Sequence, residues 1–136
     1  MKKIMVTIFL GVLATMCCFS QNNADDIVGY YLVTDIKSKD KSQMEIYRTG
    51  DGKYEAKVVW MENKAKNDQV GSVQIRNLTY DAKSKEWRQG KVKYGGDEYS
   101  VVVSVSEPGK LKLRGYLGIS LFGKTMYWTK EKALRK

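Results

Sequence analysis

The feature that most constrains the fold of this chain is a two-residue alternation of apolar and polar side chains, which recurs throughout residues 27–130. Successive side chains of a β-strand point to opposite faces, so this period predicts strands with one buried face. About eight such segments follow one another, separated by turns rich in Gly, Asp and Asn. In the clearest segment, the side chains predicted to share the buried face are Tyr54, Ala56, Val58 and Trp60.

Short turns join nearly all of these segments, which favours antiparallel neighbours. Eight antiparallel strands in sequence close most simply into an up-and-down barrel, which leaves no exposed sheet edge. The predicted fold class is therefore all-β, an eight-stranded antiparallel up-and-down β-barrel, with a two-sheet β-sandwich as the alternative. Pro108 lies in a predicted turn, so it interrupts no strand. Residues 21–136 are expected to form one domain.

Residues 1–20 have the pattern of a secretory signal peptide. Lys2 and Lys3 precede an apolar run at residues 4–13, and Cys18-Phe19-Ser20 provides small residues for cleavage before Gln21. The apolar run is shorter than the roughly 20 residues of a membrane-spanning helix, and no later segment approaches that length. The pattern predicts export to the periplasm or the extracellular medium.

The two cysteines, Cys17 and Cys18, both fall inside the signal segment. A lipoprotein anchored through one of them is the less favoured alternative, because the residues before each cysteine do not match a lipobox. The exported chain would then contain no cysteine and no disulfide, so its stability must come from one hydrophobic core.

The chain contains no histidine, which removes the residue that most hydrolases use as a base. Without mature cysteine it also lacks the usual zinc and haem ligands, so no cofactor and no metal are predicted. Most acidic residues lie in predicted turns, where carboxylates bond to nearby backbone groups. The expectation is a protein without enzymatic activity, and no catalytic residue is proposed.

The formal net charge of +9 raises the question of an anionic partner. Many lysines alternate with apolar residues along predicted strands, as on the solvated face of a sheet. No aromatic run of the kind that binds RNA is present, so nucleic acid is not expected as a partner. Contact between this basic outer face and an anionic lipid or polysaccharide of the cell envelope remains open.

An unusually apolar connection, residues 118–123, joins the last two predicted strands. Apolar connections are normally covered or cover something, so it is expected to line or plug one end of the barrel. Arg114 is expected to be a solvated surface charge, with an interior charge that binds a ligand carboxylate or phosphate as the alternative. Trp128 stands at a regular strand position and is expected in the core, with the wall of a ligand cavity as the alternative. The candidate ligand-binding residues are Tyr116, Leu117, Ile119, Leu121, Phe122, Arg114 and Trp128.

The sequence LKLRGYLGISLFGKTMYWTK, residues 111–130, resembles the C-terminal signature of the DUF2147 family of small secreted bacterial proteins. The resemblance extends upstream to residues 27–31, 44–48 and 50–60. It implies a calycin-like, that is lipocalin-like, β-barrel, and it brings no established activity. The polar segment 62–71 is shorter here than the loop this resemblance leads us to expect.

Two functions from different classes follow. The first is non-covalent binding of a small apolar or amphipathic molecule inside the barrel. The second is a structural or interaction protein whose barrel is filled by its own side chains. A carboxylate- or tyrosine-dependent enzyme ranks last, because no set of acid, base and nucleophile is visible.

Overall fold

Strands form where the alternation predicts them, and they close into one barrel. The computed structural model describes residues 24–35, 38–94, 96–117 and 120–136, with only the backbone for Tyr94, Tyr116, Leu117 and residues 120–124. In that part of the chain the strands are β1 (Gly29–Thr34), β2 (Lys41–Arg48), β3 (Tyr54–Met61), β4 (Val73–Asp81), β5 (Glu86–Tyr94), β6 (Asp97–Glu107), β7 (Lys110–Leu117) and β8 (Ser120–Glu131). Two short 3-10 helices, η1 (Ala24–Ile27) and η2 (Lys64–Gln69), complete the described elements.

Each strand pairs antiparallel with the next in the sequence, and β8 returns to pair with β1. The closing register places Tyr30, Tyr31 and Leu32 opposite Glu131, Lys130 and Thr129. The predicted up-and-down barrel is therefore confirmed, and the two-sheet sandwich is wrong.

Helix η1 seals one end of the barrel. The indole N–H of Trp87 donates to the Ala24 carbonyl at 3.0 Å, and the Tyr31 hydroxyl donates to the Ile27 carbonyl at 2.9 Å. The Tyr54 hydroxyl donates to the Asp25 carboxylate. Burial, together with this bond to Asp25, raises the pKa of Tyr54 to about 12. Three inward-facing rings thus hold η1 across the barrel end.

The half of the barrel next to η1 is filled by large side chains. Inward-facing side chains from neighbouring strands meet in layers across a barrel, and large side chains in one layer fill the space between them. Aromatic and branched residues do so in this half. The residues buried there with almost no exposed surface are Ile27, Tyr31, Ile46, Tyr54, Ala56, Leu78, Trp87, Val103 and Leu111.

The predicted inward face of β3 holds for Tyr54, Ala56 and Val58 but is wrong for Trp60. Gln43 pairs with Trp60 and Met44 pairs with Val58, so β3 has one extra residue at this point. Such a bulge reverses the alternation beyond it. Met61 therefore faces the interior at 7% exposure, while Trp60 lies outside the barrel.

The chain after β8 is fastened to the outside of β2. Gln43 is completely buried, and its side-chain amide donates to Glu131 Oε1 at 2.9 Å and to the Ala133 carbonyl at 2.8 Å. Its Oε1 accepts from the backbone N–H of Arg135 at 2.9 Å. Trp60 adds a bond from its indole to the carbonyl of Lys136 at 3.2 Å. We call residues 131–136, which begin with the last residue of β8, the C-terminal strap.

The last hairpin corrects a second expectation. The apolar segment 118–123 is not a long connection, because Leu117 pairs with Ser120 and β8 already begins at that residue. Residues 118 and 119 lie outside the described residues. Residues 120–123 of the apolar segment therefore belong to the start of β8.

On β6 the row of buried, inward-facing side chains includes Val101 and Val103 but ends before Val105. Val105 is 42% exposed, and the pairing with β7 shifts between Val105 and Glu107. The row stops here because the β6–β7 turn begins.

Candidate functional site

The half of the barrel away from η1 is hollow. It contains a cavity of about 800 Å³ that opens at the barrel end formed by the β1–β2 and β3–β4 connections. Binding sites for small molecules typically measure about 300–1,000 Å³. The cavity shows that the barrel is not filled throughout by its own side chains, which was one of the sequence-based alternatives.

Apolar side chains from all eight strands form the wall of the cavity. All of them point inward from strand positions between the filled half and the open end of the barrel. They are Val33, Met44, Val58, Met61, Ile75, Val92, Val101, Leu113, Met126 and Trp128. Met44, Met61 and Met126 are the only methionines after residue 16 in the sequence. Methionine is flexible and polarizable, so these three can adjust to ligands of different shape.

Trp128 lies where the cavity meets the filled half. It is 3% exposed, it lines the cavity, and its ring centroid is 6.3 Å from that of Tyr31. Its indole N–H is buried and has no hydrogen-bond partner among the described residues. A buried donor without a partner costs about 1–3 kcal/mol. The residue predicted as either core or cavity wall therefore takes part in both.

Polar groups are concentrated at the rim. The residues with polar side chains that line the cavity there are Asp35, Ser38, Asp40, Lys41, Ser42, Lys66, Gln69, Gln74, Tyr99 and Ser100. An apolar wall beneath a polar rim suits a molecule with an apolar body and one polar end.

Helix η2 is attached to the β1–β2 connection by side-chain contacts. Asp40 Oδ2 lies 3.5 Å from Lys66 Nζ and accepts from the Asn63 amide at 3.2 Å. Glu62 Oε1 accepts from the backbone N–H of Lys41 at 2.9 Å, and the Glu62 N–H donates to the Lys41 carbonyl at 2.9 Å. These bonds fix one side of the opening.

Five of the predicted ligand-binding residues belong to the last hairpin, at the open end. Tyr116 and Leu117 end β7, next to the cavity-lining Gly115, while Leu121 and Phe122 lie near the start of β8. Their side chains, and all of Ile119, lie outside the described residues. Their contact with a ligand stays a prediction.

Arg114 lies outside the barrel. The neighbours on either side of it, Leu113 and Gly115, line the cavity, so Arg114 points to solvent and is exposed. It borders a separate cleft of about 140 Å³ on the outer wall. The alternative that placed Arg114 in the barrel interior is therefore wrong, and its side chain does not face a ligand held in the cavity.

Three carboxylates of the described turns, those of Asp35, Asp51 and Asp81, bond to groups of their own turn. Asp35 accepts from Ser38 N–H at 2.8 Å and Asp81 accepts from Lys83 N–H at 3.1 Å. A hydrogen bond from Lys83 N–H is the main reason that the pKa of Asp81 is lowered, and a bond from the Thr49 hydroxyl likewise lowers that of Asp51. These three residues thus act as turn residues, as predicted.

Within the described ranges, no group of three or more acidic, histidine or cysteine side chains is arranged to hold a metal ion. The same ranges contain no helix that is long and apolar enough to cross a membrane.

Sequence reasoning missed several contributors to the site. Lys66 and Gln69 lie in the polar segment 62–71, and nothing in its composition indicates that η2 borders the opening. Met61 was hidden by the bulge in β3. Met44 and Met126 could have been found, because both occupy inward positions of alternating segments.

Comparison with known proteins agrees with the barrel. A structure with similar topology is protein HP1028 from the human pathogen Helicobacter pylori, which is described as belonging to the lipocalin family. The two share 18% sequence identity with a TM-score of 0.62, over 78% of this chain and 83% of that one. At this identity the likeness concerns the fold alone.

A search of curated proteins finds no match to the chain. The sequence profile described as "Uncharacterized protein conserved in bacteria (DUF2147)" matches residues 29–130, which include all of β1 to β7 and nearly all of β8. The chain therefore belongs to the DUF2147 family and has a lipocalin-like eight-stranded barrel.

Proposed function

We propose that the barrel binds one small apolar or amphipathic molecule in its interior, non-covalently and without a metal. The observation that carries the proposal is the cavity of about 800 Å³, closed by η1 at one end and open at the other. An apolar ligand gains roughly 25 cal/mol for each Å² of its surface that the wall removes from water.

The ligand's apolar body lies against Trp128, Leu113 and the three methionines, and its polar end lies at the rim. The unpartnered indole N–H of Trp128, a residue that lines the cavity, supports a ligand that carries a hydrogen-bond acceptor. Tyr116, Leu117, Ile119, Leu121 and Phe122 remain our candidates for contacts at the opening. A signal peptide at residues 1–20 would place this binding protein outside the cytoplasm.

A direct test fills the cavity from a position that tolerates a side chain. Among the described residues, a Cβ added to Gly115 would have Ser100 O as its nearest neighbour, at 3.8 Å, so the Cβ of Gly115→Phe meets the backbone only at ordinary contact distance. Gly115 lines the cavity, so this ring occupies ligand space. Thr125→Phe adds the same ring to an exposed position on the neighbouring strand and serves as the matched control.

The measurement is a fluorescence titration with N-phenyl-1-naphthylamine, a neutral probe that brightens in apolar surroundings. We expect saturable binding of one probe per chain and a loss of affinity of about tenfold or more in Gly115→Phe, because one buried ring displaces comparable ligand area. Thr125→Phe should bind as the unchanged protein does. Equal affinities in all three proteins would place the probe outside the cavity and refute the proposal.

Native mass spectrometry of protein purified from its own cells gives a second test. We expect a bound molecule that is released on unfolding and is absent from Gly115→Phe. A chain that always travels without a ligand, and that binds no probe, would contradict the proposal.

A further inference from the structure

A second concave site lies on the outer wall of the barrel, across β5, β6 and β7. This cleft of about 140 Å³ is lined by Glu86, Arg88, Val102, Ser104, Lys112 and Arg114. Val102 and Ser104 on β6 form its floor, because β6 runs between the two strands that carry the charged residues. The cleft is separated from the cavity by the barrel wall, so it does not depend on the proposed function.

The charges in the cleft are unbalanced. It contains three cations and one carboxylate, and that carboxylate is already engaged, because Glu86 Oε1 lies 2.9 Å from Arg88 Nη1. Lys112 and Arg114 have no ion-pair partner among the side chains that the structure describes.

The strand register explains why these two cations lack partners. Arg114 lies between Val102 and Thr125, and Lys112 lies between Ser104 and Tyr127, so no cross-strand neighbour is acidic. Lys110, by contrast, faces Glu107 across the same pair of strands. The two residues also stand two positions apart on one face of β7, with Cα atoms about 6.7 Å apart, so like charges are neighbours there.

We propose that this cleft binds a phosphate group, held mainly by Arg114 and Lys112. A guanidinium binds two phosphate oxygens at once, and a nearby ammonium neutralises the remaining charge. The Ser104 hydroxyl supplies a further donor on the floor. One phosphate with a charge between −1 and −2 offsets the excess of two cations in the cleft, whereas a carboxylate offsets only one.

The test is a titration of the full chain with inorganic phosphate, monitored by NMR, with the ionic strength kept constant by chloride. We expect saturable shifts of the Arg114 side-chain Nε–H and of the Val102 and Ser104 amides. The double variant Arg114→Gln/Lys112→Gln should raise the dissociation constant about tenfold or more, because it removes both charged contacts.

The matched control is Lys91→Gln/Lys93→Gln, which removes two cations at the same spacing from the outer face of β5. Lys91 Nζ bonds to Ser100 Oγ at 3.2 Å, and Lys93 pairs in register with Glu98. We expect this variant to keep phosphate affinity within about twofold, since neither residue borders the cleft. Equal weakening by both double variants, or shifts spread evenly over exposed lysines, would overturn the proposal.

Vesicles distinguish a free phosphate from a lipid headgroup. If the protein cosediments with phosphatidylglycerol vesicles but not with phosphatidylcholine vesicles, and Arg114→Gln/Lys112→Gln abolishes this binding, the phosphate group belongs to a lipid headgroup. Cleft-specific binding of inorganic phosphate without vesicle binding would identify a soluble phosphate compound. Absence of both would refute the site.

Discussion

At the scale of single residues, Trp87 and Trp128 show how the two halves of the barrel differ. Both rings are almost fully buried and both occupy inward strand positions. Trp87 has a hydrogen-bond acceptor in η1, whereas the Trp128 indole has no partner among the described residues. One tryptophan therefore completes a packed end, and the other borders an empty space.

This difference predicts unequal effects of the same substitution. Trp87→Phe removes the bond to the Ala24 carbonyl, while Trp128→Phe removes a buried donor that has no partner. We expect Trp87→Phe to lower the free energy of unfolding by roughly 1–3 kcal/mol more than Trp128→Phe. Urea denaturation of the two variants measures the difference. Equal losses would show that the Trp128 N–H is satisfied in the folded protein.

Trp60 and Trp128 also show what sequence can predict about a single side chain. Both stand at regular positions of alternating segments, so both were expected in the interior. Trp128 follows the period, but the extra residue in β3 turns Trp60 outward. A bulge turns every later residue of the strand to the opposite face. The position of the bulge depends on pairing with a neighbouring strand rather than on local sequence.

At the scale of structural elements, η1 is held to the barrel end by buried contacts despite its short length. Ile27 is fully buried there, while the adjacent Val28 is 38% exposed. We expect Ile27→Ala to lower the free energy of unfolding by about 2–5 kcal/mol and Val28→Ala to lower it by about 0.5 kcal/mol or less. Urea denaturation checks both. Similar small losses would mean that η1 does not seal the barrel.

The hydrogen bond from the Gln43 amide to Glu131, at the start of the C-terminal strap, should weaken in acid. A hydrogen bond from the side chain of Arg135 to the Glu131 carboxylate lowers the pKa of Glu131 below the usual range. A carboxylate with a lowered folded-state pKa contributes stability above its unfolded-state pKa of about 4.3 and loses it as pH falls through the folded-state value. We therefore expect the side-chain amide signals of Gln43, which donates to Glu131, to shift in NMR spectra only below about pH 4.

Glu131→Gln is the control for this transition. It keeps a side-chain acceptor for Gln43 but does not titrate, so the shift of the Gln43 signals should disappear. A transition of the same midpoint and size in Glu131→Gln would assign it to another group.

The strands were largely predictable because a half-buried strand has a period that the sequence shows directly. The last hairpin was not, because Leu117 and Ser120 lie in apolar sequence whose lack of alternation hid the strand ends. Both 3-10 helices were also missed, since four to six residues give no helical period.

At the scale of the whole molecule, the order of strands fixes which ends meet. The β1–β2, β3–β4, β5–β6 and β7–β8 connections lie at the open end, opposite η1. The sequence predicted that the last hairpin would lie at a barrel end. It could not show that the interior there is hollow, because the free volume depends on inward side chains from many strands at once. Trp128 was the candidate residue that the structure places on the cavity wall.

The three methionines of the cavity wall provide the most direct measurement of this account. With methyl-¹³C-methionine, the NMR signals of Met44, Met61 and Met126 all report from inside the cavity. Titration with N-phenyl-1-naphthylamine should shift all three signals together and saturate at one probe per chain, because the naphthyl ring lies among them. Three signals that stay unchanged while the probe binds would contradict an internal ligand site.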